Sequence, residues 1–265
     1  MKEKECVDYI VKFLKDYANE SGLDGYVVGV SGGIDSAVAS TLCARTGKKV
    51  MLVNIPTRRY YTKDDSFVFA EDHINFLRVL FPNVDTKTVS LFNTLKSFKN
   101  ALPNDVCIDD LSMANTKSRL RMVTLYAIGC TNNLLVCGTG NKVEDFGVGF
   151  FTKYGDGGVD ISPIGDLLKS DVYKLGKYLH VSNSILNAAP TDGLWEDGRV
   201  DEDQLGMSYD QIEWIMKYIE EGKPAYGTLD EGVKKSIDVY LTLQKKSEHK
   251  MNPIPVCMIP DNIKG

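Results

Sequence analysis

Six consecutive residues near the N-terminus, Ser31, Gly32, Gly33, Ile34, Asp35 and Ser36, are of the types that a phosphate-holding turn needs. Glycines let backbone N–H groups approach phosphate oxygens, and a helix N-terminus adds partial positive charge. The hydroxyls of Ser31 and Ser36 can donate further hydrogen bonds. Asp35 departs from this logic, because a carboxylate beside phosphates is repelled unless a cation lies between them. Its presence implies Mg²⁺ bridging carboxylate and phosphate. Taken alone, Ser-Gly-Gly also fits a strand–turn–helix in which Asp and Ser merely cap a helix. Neither G-x-x-x-x-G-K-[ST] nor G-x-G-x-x-G stands at this turn, so it is not the usual nucleotide loop.

The elements that must position such a turn are legible on either side of it. Tyr26–Val30 is an apolar run expected as a buried strand, and Ser36–Ala44 a helix ended before Gly47. Before them, Val7, Ile10, Val11, Leu14 and Tyr17 recur at helical spacing, predicting an amphipathic helix over residues 3–20. Val50–Ile55 and Thr86–Val89 read as strands and Asp64–Leu80 as a helix between them. A short helix is expected at Leu91–Phe98, then a mobile loop through PNDVCIDD. Thr116–Cys130 is a helix holding three cations in KSRLR, and Leu134–Cys137 a strand running into a second glycine turn, GTGNK. This alternation predicts an α/β fold: a single Rossmann-like domain with a parallel sheet, helices on both faces and C-terminal helical additions. Ligands of such sheets collect beyond the carboxyl ends of the strands, where both glycine turns lie. Later helices are expected at Lys169–Leu179, Tyr209–Glu221 and Glu231–Gln244. No repeat or linker divides the chain, and residues 1–265 are expected to form one domain.

Composition sets bounds without naming a chemistry. With 43% apolar and 25% charged residues, the 265-residue chain has the make-up of an ordinary globular protein. A net charge of −5 argues against a general nucleic-acid binder. The six cysteines form no C-x-x-C pair. Cys43, Cys130 and Cys137 sit in apolar surroundings as reduced thiols, pointing to a reducing, cytoplasmic location. The N-terminus lacks the apolar stretch of a signal peptide, and no run approaches the roughly 20 residues of a membrane span. His73 and His180 belong to no cluster and are expected to be structural.

The S-G-G-x-D-S turn resembles the signature of the ATP pyrophosphatases of the adenine-nucleotide α-hydrolase-like group. That resemblance implies adenylation rather than phosphorylation: pyrophosphate leaves while a substrate oxygen attacks the α-phosphorus. Further blocks narrow it. NTKSRLRMVTLYA (Asn115–Ala127), VCGTGNKVE (Val136–Glu144), FFTKYGDGGVDISPIGDLLK (Phe150–Lys169), APTDGLW (Ala189–Trp195), DEDQLGMSYDQIE (Asp201–Glu213) and SEHK (Ser247–Lys250) occur in that order. Together they resemble the ammonia-dependent NAD synthetase family over nearly the whole chain. The resemblance implies a homodimer converting deamido-NAD, ATP and ammonia into NAD, AMP and pyrophosphate.

Site residues follow from that resemblance position by position. Gly29, Val30, Ser31, Gly32, Gly33, Ile34, Asp35 and Ser36 match the ATP-binding turn, joined by Thr139, Lys169 and Thr191. Asp35 and Glu144 match magnesium carboxylates, and Lys169 is expected to neutralise charge developing on pyrophosphate. Arg119, Lys153, Asp160, His249 and Lys250 match contacts to deamido-NAD, the last two assigned to the partner subunit's site. Read without that register, Glu144 is a solvated charge opening a loop, Lys169 a surface lysine and Arg119 one cation of a basic helix face. Ammonia is mostly ammonium at neutral pH, so a carboxylate must hold the cation and accept its proton; Asp156 in KYGDGG is the candidate. The alternative is a turn-capping aspartate.

The chain departs from the family's pattern in two places. Pro190-Thr191-Asp192-Gly193-Leu194 replaces P-[ST]-A-D-L, so no role is carried to Asp192, and GTGNK replaces the G-T-D-H of some members. Rival readings are another ATP pyrophosphatase (GMP synthetase-like or tRNA-modifying) and a non-catalytic nucleotide sensor. The first would show a reactive cysteine pair, a basic surface or a dimerisation domain, and the second a missing carboxylate or lysine; none of these is visible. A separate glutaminase subunit as ammonia source stays open. The loops at Asn104–Asp110 and Glu196–Gly206 are expected to be mobile and to close over the adenylate.

Overall fold

The computed structural model describes residues 1–58, 65–191, 193–195 and 199–264. Helix α1 (Glu3–Glu20) leads into strand β1 (Gly25–Gly29), helix α2 (Ile34–Arg45), β2 (Lys49–Asn54), α3 (Asp65–Leu80) and β3 (Val84–Thr88). Then come α4 (Phe92–Ala101), α5 (Asp110–Asn132) and β4 (Leu134–Cys137). A π-helical turn, Val143–Val148, separates the sheet from α6 (Lys169–Tyr178), α7 (Asn183–Leu186), α8 (Asp201–Leu205), α9 (Tyr209–Glu220), α10 (Glu231–Met251) and α11 (Asp261–Lys264). No described helix is long and apolar enough to cross a membrane.

The strands are all parallel, in the order β3-β2-β1-β4. The chain steps outward from β1 to β3 and then returns to the far side of β1. The strand order therefore reverses between β1 and β4, and both glycine turns leave the sheet at that switch point. Tyr26–Val28, Val50–Val53 and Leu134–Cys137 are buried throughout, as strands covered on both faces must be. Edge strand β3 carries Asp85, Thr86, Lys87 and Thr88, polar residues that suit an exposed edge.

One face of the sheet packs on α1, α2, α3 and α6, and the other on α4 and α5. Helix α2 is buried nearly all round, which explains its run of Ala, Ser, Thr and Val in place of an amphipathic pattern. A third apolar cluster joins Val143 and Val148 of the π turn to α9 and α10, with Leu205 and Met207. Gly149, at φ +65°, ends the π turn where α10 crosses: a Cβ there would lie 2.3 Å from the Ser247 Cβ.

Most expected elements appear with ends shifted by a residue or two; Asp64, the expected start of α3, lies outside the described residues. Larger differences occur where capping decides. Helix α5 begins at Asp110, not Thr116, because the Asp109 side chain accepts the Ser112 N–H at 2.7 Å. Only 103–109 of the expected loop is irregular. Helix α10 runs two turns beyond Gln244, to Met251, so His249 and Lys250 are helical. Residues 201–205 of the other expected loop form α8, and 196–198 lie outside the described residues. The cysteines are free; Cys43 and Cys137 are buried as expected, but Cys130 is exposed, on the outward side of α5.

His73 is structural, as expected. Its Nε2 lies 3.1 Å from the Ser40 Oγ, and burial lowers its pKa to about 4 from 6.5. A folded pKa below the unfolded one means that the unfolded chain binds the proton more readily. Stability from this site is thus complete above about pH 6.5 and lost as pH falls towards 4. The difference between stability at pH 7 and at pH 5, from urea unfolding, should shrink by about 2 kcal/mol in His73→Gln.

Candidate active site

The site is built where the two glycine turns meet. Gly32 has φ +86°, and a Cβ there would lie 2.1 Å from the Ser66 carbonyl oxygen, so only glycine lets this turn pass the start of α3. The turn is tied internally. The Ser36 hydroxyl donates to the Gly33 carbonyl at 2.9 Å and accepts the Ser31 N–H at 3.1 Å. The Ser31 Oγ accepts the Gly33 N–H at 3.2 Å. Ser36 is buried, and these backbone contacts let its side chain shape the turn. Gly29 ends β1, Val30 is buried, and Ile34 opens α2 with its side chain in the core.

Asp35, in the first turn of α2, faces Lys169 at the start of α6, whose Nζ lies 2.6 Å from Asp35 Oδ2 and 2.9 Å from Glu144 Oε1. The lysine side chain is 4% exposed and each carboxylate 16%. The two expected cation-binding carboxylates are therefore brought together, and the cation between them is the lysine's own ammonium. Burial opposes the charge on Lys169, but the charges and hydrogen bonds of Asp35 and Glu144 outweigh it and raise its pKa. The Tyr209 ring receives the same ammonium at 4.8 Å from its centroid.

Two residues that the sequence reading passed over fix this cluster. Asn141, fully buried in the second glycine turn, donates from Nδ2 to Asp35 Oδ1 at 2.9 Å. Its Oδ1 accepts the Val143 and Glu144 N–H groups, each at 3.1 Å. One amide thus aligns both carboxylates. Tyr209 donates from its hydroxyl to Glu144 Oε1 at 2.7 Å, with Asp201 Oδ2 at 3.2 Å. The Asn in GTGNK and the Tyr after the Ser208 cap were visible, but nothing in their spacing announced a shared partner. A third, Asp145, lies against Gly140. Burial, then the charges of Glu144, Asp156 and Asp35, push its carboxyl up to about 8.

A second grouping lies along Gly149–Asp156. The Lys250 Nζ donates to the carbonyls of Gly149 and Phe151, and burial lowers its pKa. Lys153 donates to the His249 carbonyl at 2.8 Å, and Arg119 Nε to the Lys153 carbonyl at 3.3 Å. Arg119, Lys153, His249 and Lys250 are thereby neighbours within one chain. Asp156 Oδ1 accepts the Ser118 hydroxyl at 2.6 Å and the Thr152 N–H at 3.0 Å, and so caps its own turn; burial, with the Glu144 charge, raises its pKa.

Three expected residues join neither group. Asp160 accepts the Tyr126 hydroxyl at 2.9 Å and the Val136 N–H at 2.8 Å, and so completes the edge of β4. Thr191 donates to the Arg199 carbonyl and accepts the Gly193 N–H, both at 3.2 Å, within its own loop; its neighbour Asp192 lies outside the described residues. Thr139, half-buried, stands in the turn after β4.

Among the described residues no group of three or more His, Cys, Asp or Glu side chains could hold a metal by itself. The donor set nonetheless fits Mg²⁺, which is commonly held by one or two carboxylates together with substrate phosphates: Asp35 and Glu144 already converge on one cation.

Comparison with known proteins agrees with this architecture. The family model described as NAD synthase matches residues 6–254. The NH₃-dependent NAD⁺ synthetase of Mesoplasma florum is 38% identical over 95% of this chain and 96% of its own. Among solved structures, the NMN synthetase of Francisella tularensis superposes with a TM-score of 0.81 at 32% identity, covering 98% of this chain and 99% of its own. The NH₃-dependent NAD synthetase of Campylobacter jejuni, solved with a nitrate ion, gives 0.78 at 27% identity, over 97% and 100%. With its two glycine turns at the switch point and a match spanning almost all its length, the chain belongs to the NAD synthase family.

Proposed function

We propose that this chain is an ammonia-dependent NAD synthetase: it amidates deamido-NAD with ammonia and ATP, releasing NAD, AMP and pyrophosphate. The observation that carries the reading is the meeting of Asp35, Glu144 and Lys169, drawn from three separate sequence blocks, at the sheet's switch point. The turn from Gly29 to Ser36 offers its N–H groups and the α2 N-terminus to the phosphates, with Thr139 and Thr191 as further ATP contacts. Asp35 and Glu144 would hold Mg²⁺, which supplies charge neutralisation on the departing pyrophosphate. Lys169 turns from the carboxylates to the phosphates as they enter. The nicotinate carboxylate attacks the α-phosphorus, and the α–β phosphoanhydride bond breaks. Ammonia then attacks the acyl carbon, and AMP departs.

Asp156 is the proposed acceptor of the ammonium proton, in a pocket whose acids favour that cation. Arg119, Lys153, Asp160, His249 and Lys250 are the proposed contacts to deamido-NAD. Arg119 offers a bidentate fork to phosphate or carboxylate. We read the molecule as a homodimer of single-domain chains working in the cytoplasm, with His249 and Lys250 at the partner's substrate. Exposed Leu111 and Val123 on α5, and Val256 and Met258 beyond α10, supply apolar surface for such contact.

The NMN synthetase likeness favours a second reading, in which the amidated substrate is nicotinate mononucleotide. The linked basic residues favour the phosphate-richer dinucleotide. A product assay separates the two: with ATP, Mg²⁺ and ammonium, deamido-NAD should yield NAD with equal AMP and pyrophosphate, faster than the mononucleotide is amidated. Product from glutamine but not ammonium would defeat the assignment of the nitrogen donor.

Lys169→Met should lower kcat by about 10²–10³-fold, the cost of losing one preorganised group on developing charge. Because it leaves two buried carboxylates without their counter-charge, it should also cost about 3–5 kcal/mol of stability, read by chemical unfolding. Asp156→Asn keeps an acceptor for Ser118 and Thr152 while removing the charge. At saturating ammonia its rate should fall by about 10²-fold or more, with ATP binding unchanged; a near-normal rate would remove Asp156 from the proton transfer.

A further inference from the structure

Tyr209 occupies an unusual position for a residue outside both glycine turns. It is the first residue of α9, whose start is fixed by the Ser208–Gln211 capping box, and its N–H is taken by Glu202 Oε1 at 3.0 Å. The side chain is buried. Its ring supports the Lys169 ammonium while its hydroxyl reaches Glu144 Oε1 at 2.7 Å and Asp201 Oδ2 at 3.2 Å. A phenol has a single proton to give, so it serves one carboxylate at a time, and the shorter distance selects Glu144. Asp201 is also buried, and its backbone N–H donates to the Pro190 carbonyl at 3.0 Å, one residue before Thr191.

These contacts bear on what happens when Lys169 leaves. The lysine is saturated by Asp35, Glu144 and the Tyr209 ring, and to reach a phosphate it must give up its carboxylates. Glu144 then loses its closest cation and keeps the Tyr209 hydroxyl. We propose that Tyr209 is a positioning residue of this reaction. Its hydroxyl holds the Glu144 carboxylate in place for Mg²⁺ once Lys169 turns to the nucleotide, and Asp201 competes for the same proton from the side of the Thr191 loop. The proposal rests on the reading above that ATP and Mg²⁺ meet at Asp35 and Glu144.

The test uses calorimetric titration of the full chain with ATP, without the second substrate, in Mg²⁺ and in chelator. Wild-type protein should bind ATP more tightly with Mg²⁺. In Tyr209→Phe that magnesium-dependent gain should fall about tenfold, the worth of one hydrogen bond to a charged group. Affinity in chelator should stay within about twofold, since phenylalanine keeps the ring beneath Lys169. Asp201→Asn, which weakens the competing acceptor, should retain the gain. An undiminished gain in Tyr209→Phe, or equal losses in both variants, would overturn the proposal. Should Tyr209→Phe fail to fold, hydrogen exchange on the wild-type protein decides. Backbone protection over Asp201–Tyr209 should change when Mg²⁺ is added to the ATP-bound protein, and unchanged exchange overturns the idea. A wild-type protein with no magnesium gain at all would instead bring down the reading of the nucleotide site.

Discussion

The ammonium of Lys169, held between Asp35 and Glu144, is the interaction on which the rest of the site depends. Three charges at 2.6 and 2.9 Å, almost removed from water, are tolerable only together. Taking the lysine away leaves two buried carboxylates without their counter-charge. The arrangement demands that the first turn of α2, the π turn after β4 and the start of α6 stay in fixed relation. The sheet supplies that rigidity: β1 and β4 are hydrogen-bonded neighbours, so the turns that leave them emerge side by side. Helix α6 packs on α2 through the apolar core of the same face.

The π turn repeats the theme at smaller scale. Its wider winding sets Glu144 against Lys169 and Asp145 against Gly140 while Val143 and Val148 go to the cluster with α9 and α10. Local departures of this kind are frequent at functional sites, because an extra residue per turn re-aims a side chain without breaking the helix. Asn141 and Tyr209 then secure the carboxylates from opposite sides, one from the glycine turn and one from the C-terminal helices. Asp35, Glu144, Lys169, Asn141 and Tyr209 thus each have a hydrogen-bonded partner, which a buried network requires if it is to be rigid.

Charge also divides the molecule's labour. The charges of Glu144, Asp156 and Asp35 all act on buried Asp145. Arg119, Lys153, His249 and Lys250 are joined through backbone carbonyls of the Gly149–Lys153 stretch and of α10 itself. Cations spent partly on carbonyls are already ordered before any ligand arrives, which lowers the entropy lost on binding. The segment FFTKYGDGG is held by α10 through Lys250 and Lys153 and by α5 through Ser118.

Much of this was legible in the sequence. The apolar runs and glycine turns determined the parallel α/β order, because strand and helix periodicities differ and punctuation by Gly and Pro is local. The blocks around Asp35, Glu144 and Lys169 also identified the family. Asn141, Asp145 and Tyr209 were in plain view as letters, yet their partners are distant in the chain, and no local spacing encodes a contact across that gap. The same holds for the backbone contacts of Ser36 and Asp160, because only the fold determines which donors and acceptors a turn or strand edge leaves unsatisfied. Helix ends at Asp110 and Met251 were decided by a cap and by packing on the π turn, not by propensity. The sequence determined which chemistry could be present; tertiary structure decided which groups share one proton or one charge, because burial and distance fix those energies and neither is a property of neighbours in the chain.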